Sequence, residues 1–326
     1  MKLILIFVIF NAVSLGTSCS SSGKMPIDAA RKGVLVGPNT PVYYLRNGHE
    51  NLTIEKKTDV LKVSRSVSYY KSPYNFNNNT MFLRILVIVD YELYRKNEEQ
   101  GIIDYVVKYM SGVDEYFLPF DYPSVKIVLA GIVIATHPDA IKFLKPLKLS
   151  DDASLKVMEY SATTFEQFVD VIPLDSFHAD EVLHKMNGFL FQYRNIFNHS
   201  EYDRYLILAS RHLYTGRPPY LSRVLGMTDF ASIFLEHRKP SKIPLGAIVD
   251  EPLDIYQDTG AHETAHMLNI GHDNSSKCQD GYIMSETGYR NSNSYDWSEC
   301  SKEALQETFR DEYYSSLLKR PEFLSN

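Results

Sequence analysis

Apolar residues in this chain gather into short dense runs that alternate with stretches of helical spacing. Met81 to Asp90 (MFLRILVIVD), Val125 to Ala135 (VKIVLAGIVIA) and Arg204 to Ala209 (RYLILA) are nearly continuous apolar runs of strand length. From Glu98 to Phe117, by contrast, Ile102, Ile103, Val106, Val107, Met110 and Val113 recur at the spacing of one helix face. Ala179 to Phe197 carries a second helical pattern. Leu225 to Phe234 (LGMTDFASIF) reads as a further strand at a sheet edge, and Lys239 to Pro244 breaks the chain after it. A helix from Lys302 to Leu318 closes the chain. Strands alternating with helices predict an α/β fold, a sheet with helices packed on it, and no internal repeat is visible.

The N-terminal stretch differs. Met1 and Lys2 precede a run from Leu3 to Val13 that is apolar except for Asn11, and small residues follow as far as Cys19. Residues 1–19 thus have the layout of a secretory leader. The alternative is a buried helix or a signal anchor, but such a run spans only about 16 Å as a helix, roughly half of a bilayer core. From there to about residue 80 the chain is polar and broken, ending in a loop or linker at Ser72 to Asn79.

Composition narrows the function. Of 326 residues 44% are hydrophobic and 23% charged, which excludes wholesale disorder. A net charge of −6 lacks the basic footprint that nucleic-acid binding needs. No later stretch is apolar for long enough to hold the protein in a membrane once the leader is removed. Three cysteines are present: Cys19 at the leader boundary, and Cys278 and Cys300, close enough in the chain to pair. Export favours the disulfide, and two separate buried thiols are the alternative. Asn-x-Ser/Thr sequons at Asn51, Asn78, Asn198 and Asn274 are candidate glycosylation sites and support surface positions.

The chemistry concentrates in Ala261 to Asp273 (AHETAHMLNIGHD). On a helix His262 and His266 stand on one face, four residues apart, so both imidazoles can reach one metal ion while Glu263 lies beside it. His272 falls beyond the helix end, and Asn269 with Gly271 supplies residues able to reverse the chain in the left-handed conformation. Three imidazoles and an open fourth position describe a catalytic zinc site rather than a structural one. Glu263 is then the general base for metal-assisted amide hydrolysis. The seven other histidines, His49, His137, His178, His184, His199, His212 and His237, show no ligand spacing and receive no role. Glu251, Asp254 and Asp258 precede the helix as solvated or capping charges, and a calcium site among them has no support.

These residues resemble the metzincin metalloproteases, whose signature H-E-x-x-H-x-x-G-x-x-H is matched by His262, Glu263, His266 and His272. Met284, in Gly281 to Ser285, fits the family's Met-turn, where the methionine lies beneath the metal without ligating it. Asp273, directly after the third histidine, resembles the mark of the adamalysin or reprolysin branch. The segment Trp297 to Ser301 resembles a branch element whose cysteine pairs, here implying Cys278 with Cys300. The compact layout is also similar to salivary and venom metalloproteases of ticks and other arthropods. The resemblance implies a twisted mixed sheet with helices, and a smaller C-terminal subdomain holding the zinc helix and Met-turn. It further implies a short prosegment or N-terminal extension over 20–79, a catalytic domain over 80–320 and a tail over 321–326. The function implied is a secreted, monomeric zinc endopeptidase acting on proteins or peptides, such as extracellular-matrix or host plasma proteins.

Departures from the pattern matter too. Asn269 stands where the signature has glycine, a tolerable change because Asn is the non-glycine residue best suited to positive φ. No cysteine occurs in residues 20–79, so a thiolate cannot block the metal, and Arg65 is only a weak processing candidate. No disintegrin-like module is expected after the catalytic domain. The rival class is a secreted binding protein on an inactive protease scaffold, against which the intact Glu263 argues. A zinc hydrolase of non-peptide amides is the third reading, since pocket walls, formed in part by Ser285 to Tyr295, set specificity.

Overall fold

The computed structural model describes residues 33–47, 51–63, 76, 78–144, 156–161, 164–169, 176–217, 220–229, 245–250, 257–273, 277–278, 280–286 and 293–324. Outside them lie the leader over 1–19 with Cys19, most of the linker before Asn78, Arg65, Glu251, Asp254, Asn274, His49 and His237, the chain break at 239–244, and parts of the expected edge strand and pocket wall.

In chain order the strands are β1 (Leu35–Val36), β2 (Val42–Arg46), β3 (Thr53–Lys57), β4 (Thr80–Val89), β5 (Ser124–Ala135), β6 (Lys156–Ser161), β7 (Thr164–Val169), β8 (Phe177–His178), β9 (Arg204–Ala209), β10 (Leu213–Arg217), β11 (Tyr220–Val224), β12 (Gly226–Thr228) and β13 (Leu245–Asp250). The helices are α1 (Tyr91–Tyr116), α2 (Ala179–Gln192), α3 (Gln257–Met267) and α4 (Glu299–Arg310). The main sheet runs β12-β13-β9-β4-β5-β2-β3, with β1 also beside β5. β13, β9, β4, β5 and β2 are parallel, while β12 and β3 are antiparallel to their neighbours at the two ends. β7-β6-β11-β10-β8 form a smaller second sheet.

The apolar runs became central strands because both their faces are covered. Along β4, Leu83, Ile85, Val87 and Val89 pack into the cluster containing α1 and α3 residues, whereas Leu86 and Ile88 join the cluster with α2 residues on the other face. This alternation is the strand period of two. The first helix begins earlier than its periodic residues suggest. Asp90 caps it, accepting from Leu93 N at 2.7 Å, and Glu98 at φ 59 breaks it into two segments. The broken, polar start has no helical apolar face to read, so only the second segment was visible as periodicity. Likewise α4 starts at Glu299 because Ser298 caps it, and 3₁₀ turns over Glu312–Leu318 replace the expected last helical turns.

Residues 33–47 and 51–63 differ most from their polar, broken appearance. β1 and β2 pair with β5, so the main sheet is continuous across the expected boundary near residue 80. Val42 and Tyr44 are buried in the same core as Met81 and Ile134. Val34 N donates to Ser111 Oγ on α1, and the Gly33 carbonyl accepts from Lys126 Nζ. Strands of two and five residues whose partners lie some ninety residues away leave only a faint local pattern.

Candidate metal centre

The site forms where α3 ends. Asn269 N donates to the His266 carbonyl at 2.9 Å and Ile270 N to the Ala265 carbonyl at 3.1 Å, the paired bonds of a Schellman motif. Asn269 takes φ 64 there. Gly271 does not take positive φ, so the reversal foreseen for both residues falls to Asn269 alone. Two further carbonyls at the helix end are satisfied from outside, Met267 O by Arg204 Nε and Leu268 O by Thr308 Oγ1. Near the other end, Gly260 permits the crossing with α1, because a Cβ there would stand 2.4 Å from the Tyr109 hydroxyl.

The turn brings His272 back onto the face that holds His262 and His266. His272 Nε2 lies 3.2 Å from His262 Nε2 and 3.0 Å from His266 Nε2. His262 Nδ1 donates to the Ile283 carbonyl and His266 Nδ1 to the Ile270 carbonyl, both at 2.7 Å. A carbonyl only accepts, so these bonds place the protons on Nδ1 and leave lone pairs on both Nε2 atoms. His272 has at most one Nε2 proton to offer two lone pairs. One proton cannot serve both lone pairs at once, and three converging ring nitrogens suit a cation at their centre. Zinc–nitrogen bonds of about 2.0–2.1 Å in tetrahedral geometry place ligand nitrogens about 3.3 Å apart, close to the separations here. Burial holds His262 down to about 4, His266 well below its ordinary value and His272 below it too, which keeps the imidazoles neutral, as ligation requires.

Glu263 is buried next to this triad. Its Oε2 accepts from Thr228 Oγ1 of β12 at 2.7 Å. Burial pushes the carboxyl up to about 8, against the Thr228 bond, which favours the charged form. A cation beside it would pull that value down.

Met284 is fully buried, and its neighbours tie the turn to the triad. Ile283 O binds His262, Met284 O accepts from Asp273 N, and Ser285 N closes the turn on Tyr282 O. Asp273 Oδ1 accepts from Ser298 Oγ at 2.7 Å, so it anchors the start of α4 rather than facing the metal position. Cys278 and Cys300 form the disulfide, with Cα atoms 5.7 Å apart, and join this loop to α4. Asp273 lies within reach of both sulfurs, but the disulfide removes them as ligands. Trp297 Nε1 donates to Tyr116 O at 2.6 Å, and its ring packs on Phe117 and Phe120, securing the C-terminal part against α1. Asn51, Asn78 and Asn198 are exposed. Asp258 sits in the first turn of α3, as a helix-end charge should. Sequence reasoning missed Gly226 and Thr228, which meet Glu263 across the helix–strand contact. Their two-residue spacing marks one strand face without naming the helix residue opposite.

A triad of neutral imidazoles on an α/β/α scaffold is a candidate metal-binding site, and the names of similar proteins accord with that class. No family model matches the chain. The chain is similar to a silkworm (Bombyx mori) protein named "A disintegrin and metalloproteinase with thrombospondin motifs like", 27% identical over 274 residues, covering 74% of this chain and 34% of that protein. It is also similar to "Venom metalloproteinase 3" of Eulophus pennicornis, 23% identical over 236 residues, 70% of this chain and 49% of the relative. "Venom metalloproteinase 2" of the same wasp matches at 23% over 226 residues. The chain thus spans about a third to a half of the length of these relatives. Their names accord with the resemblance to reprolysin-type metalloproteases. Among the described residues no helix is long and apolar enough to cross a membrane.

Proposed function

We propose that this chain is a zinc-dependent endopeptidase that hydrolyses peptide bonds, with His262, His266 and His272 as metal ligands and Glu263 as general base. The observation that carries the reading is the convergence of three Nε2 atoms, two of them held as lone-pair donors by bonds from their Nδ1 atoms to Ile283 and Ile270. A zinc ion held there supplies a Lewis acid for the scissile carbonyl and acidifies water. Glu263 takes a proton from the attacking water and delivers it to the leaving nitrogen, so the proton lost by the nucleophile reappears on the amine. Among the described residues β12 is the terminal strand of the main sheet, which suits an extended peptide added as a further strand. Met284 supports the imidazoles from beneath, and Asp273 fastens the loop after His272 to α4.

Export belongs to the same reading. The Cys278–Cys300 disulfide supports an oxidising compartment, in keeping with the leader-like start of the chain and the exposed sequons. Proteins or peptides outside the cell are then the substrates.

Elemental analysis of purified protein, followed by digestion of a generic protein substrate with and without a chelator, tests the reading. One zinc per chain and chelator-sensitive cleavage are expected. Folded protein with no stoichiometric zinc, or cleavage indifferent to Glu263→Ala, overturns it.

A further inference from the structure

The edge strand does more at this site than terminate the sheet. Successive residues of β12 point to opposite faces, so Gly226 and Thr228 share the face turned to α3 while Met227 packs on the α2 side. Both residues on that face meet the same side chain. Thr228 Oγ1 lies 2.7 Å from Glu263 Oε2 and 3.1 Å from the Glu263 carbonyl oxygen. A hydroxyl has one proton, and the shorter contact, to the carboxyl oxygen, takes it. At Gly226 a Cβ would stand 2.6 Å from Glu263 Oε1 and 2.6 Å from Cγ, so the absence of a side chain makes the room that the carboxylate occupies. Thr228 is 7% exposed and Glu263 4%, which leaves little water to take over the hydrogen bond.

We propose that Thr228 is a positioning residue that divides the work of the Glu263 carboxylate: Oε2 is anchored on the edge strand, and Oε1, over Gly226 and without a hydrogen bond among the described residues, handles the proton. The assignment rests on the protease reading for its catalytic meaning, but the contact itself does not. A glutamate has three rotatable bonds, and a general base loses efficiency when it must first be collected into one geometry. The strand that aligns the substrate therefore also aligns the base, so both register against one backbone segment.

The test uses Thr228→Val, which keeps the shape and removes the donor, and Thr228→Ser, which restores the donor. With zinc-loaded protein and a cleavable peptide, Thr228→Val should lower kcat about tenfold or more, the scale of one hydrogen bond to a charged group, with KM and zinc content near wild type. Thr228→Ser should recover most of the loss. A Thr228→Val kcat within twofold of wild type, or a Ser variant as slow as the Val variant, overturns the proposal. A second arm needs no activity. In metal-free protein, Thr228→Val should lower the denaturation midpoint in the Glu263 background and have a clearly smaller effect in Glu263→Ala, whereas equal shifts in both backgrounds overturn the contact. Zinc-loaded wild type that cleaves nothing sinks the protease reading alone, and the metal-free cycle then decides whether Thr228 holds Glu263.

Discussion

Two of the buried clusters of ionisable groups among the described residues are built on opposite principles. Asp114 on α1 and Lys126 on β5 are almost fully buried and oppositely charged. Lys126 Nζ donates to Asp114 Oδ2 at 2.7 Å and to Gly33 O at 2.6 Å, and Ile127 N donates to Asp114 Oδ1. Burial pushes the Asp114 carboxyl up to about 6, while Lys126 and Ile127 N pull the other way. The second cluster, His262, His266 and His272 with Glu263, brings together three imidazoles that burial keeps neutral and a carboxyl steadied by one hydroxyl. The first is complete and stitches the N-terminal strands, α1 and the sheet together. The second has the geometry to hold a cation. Self-satisfied buried charge reads as architecture, and buried groups that satisfy one another only through an added ion read as a site.

The contrast breaks first under Glu263→Gln, which keeps shape and removes the base. Peptide hydrolysis should fall by roughly 10²–10⁴-fold with zinc retained, and an unchanged kcat/KM would remove the difference between the clusters. Next comes Lys126→Met, which leaves Asp114 buried without its partner. Chemical denaturation should show a loss of about 3–5 kcal/mol, while activity per folded molecule stays near wild type. A mutant that keeps its stability would show the pair is not architectural. Replacing Cys278 and Cys300 together by serine should cost about 3 kcal/mol of stability, and should loosen the loop after His272 enough to weaken zinc retention in a competition titration against a chelator.

The smallest effect is a slope. In metal-free protein His262 is held near 4 against an ordinary 6.5, so the folded state binds fewer protons than the unfolded one in that window, and this contribution to stability is lost as pH falls from about 6.5 to 4. Glu263 has the opposite sign. Raised to about 8 from 4.5, it makes the folded state bind more protons, and its contribution is lost as pH rises toward 8. Denaturation midpoints measured from pH 6.5 to 8 should therefore decline more for metal-free wild type than for metal-free Glu263→Gln. Identical slopes would remove Glu263 from the account.

The ends of the main sheet repeat the lesson about what can be read locally. The strands at its centre were legible because Met81 to Asp90, Val125 to Ala135 and Arg204 to Ala209 are apolar on both faces. β3 was not, because Thr53–Lys57 is polar and lies at the far end of the sheet, on a partner that itself pairs with distant β5. At the opposite end, three residues of β12 suffice to form the edge against β13, and nothing in Leu225 to Thr228 announces that Gly226 and Thr228 face a glutamate thirty-odd residues on. The histidines were legible because a helix converts a spacing of four into a shared face, and Asn269 marked the return.

What the sequence by itself determined is the identity of the groups that can meet a metal, since helical periodicity and one left-handed turn are local rules that need no partner. Only the tertiary structure decided which ring nitrogen of His262 and His266 carries the proton, where the carboxylate of Glu263 is held and where residues 33–47 and 51–63 belong. Those depend on Ile283, Ile270, Thr228 and β5, groups brought near by sheet pairing and helix packing, and contacts between distant parts of a chain leave no periodic trace along it.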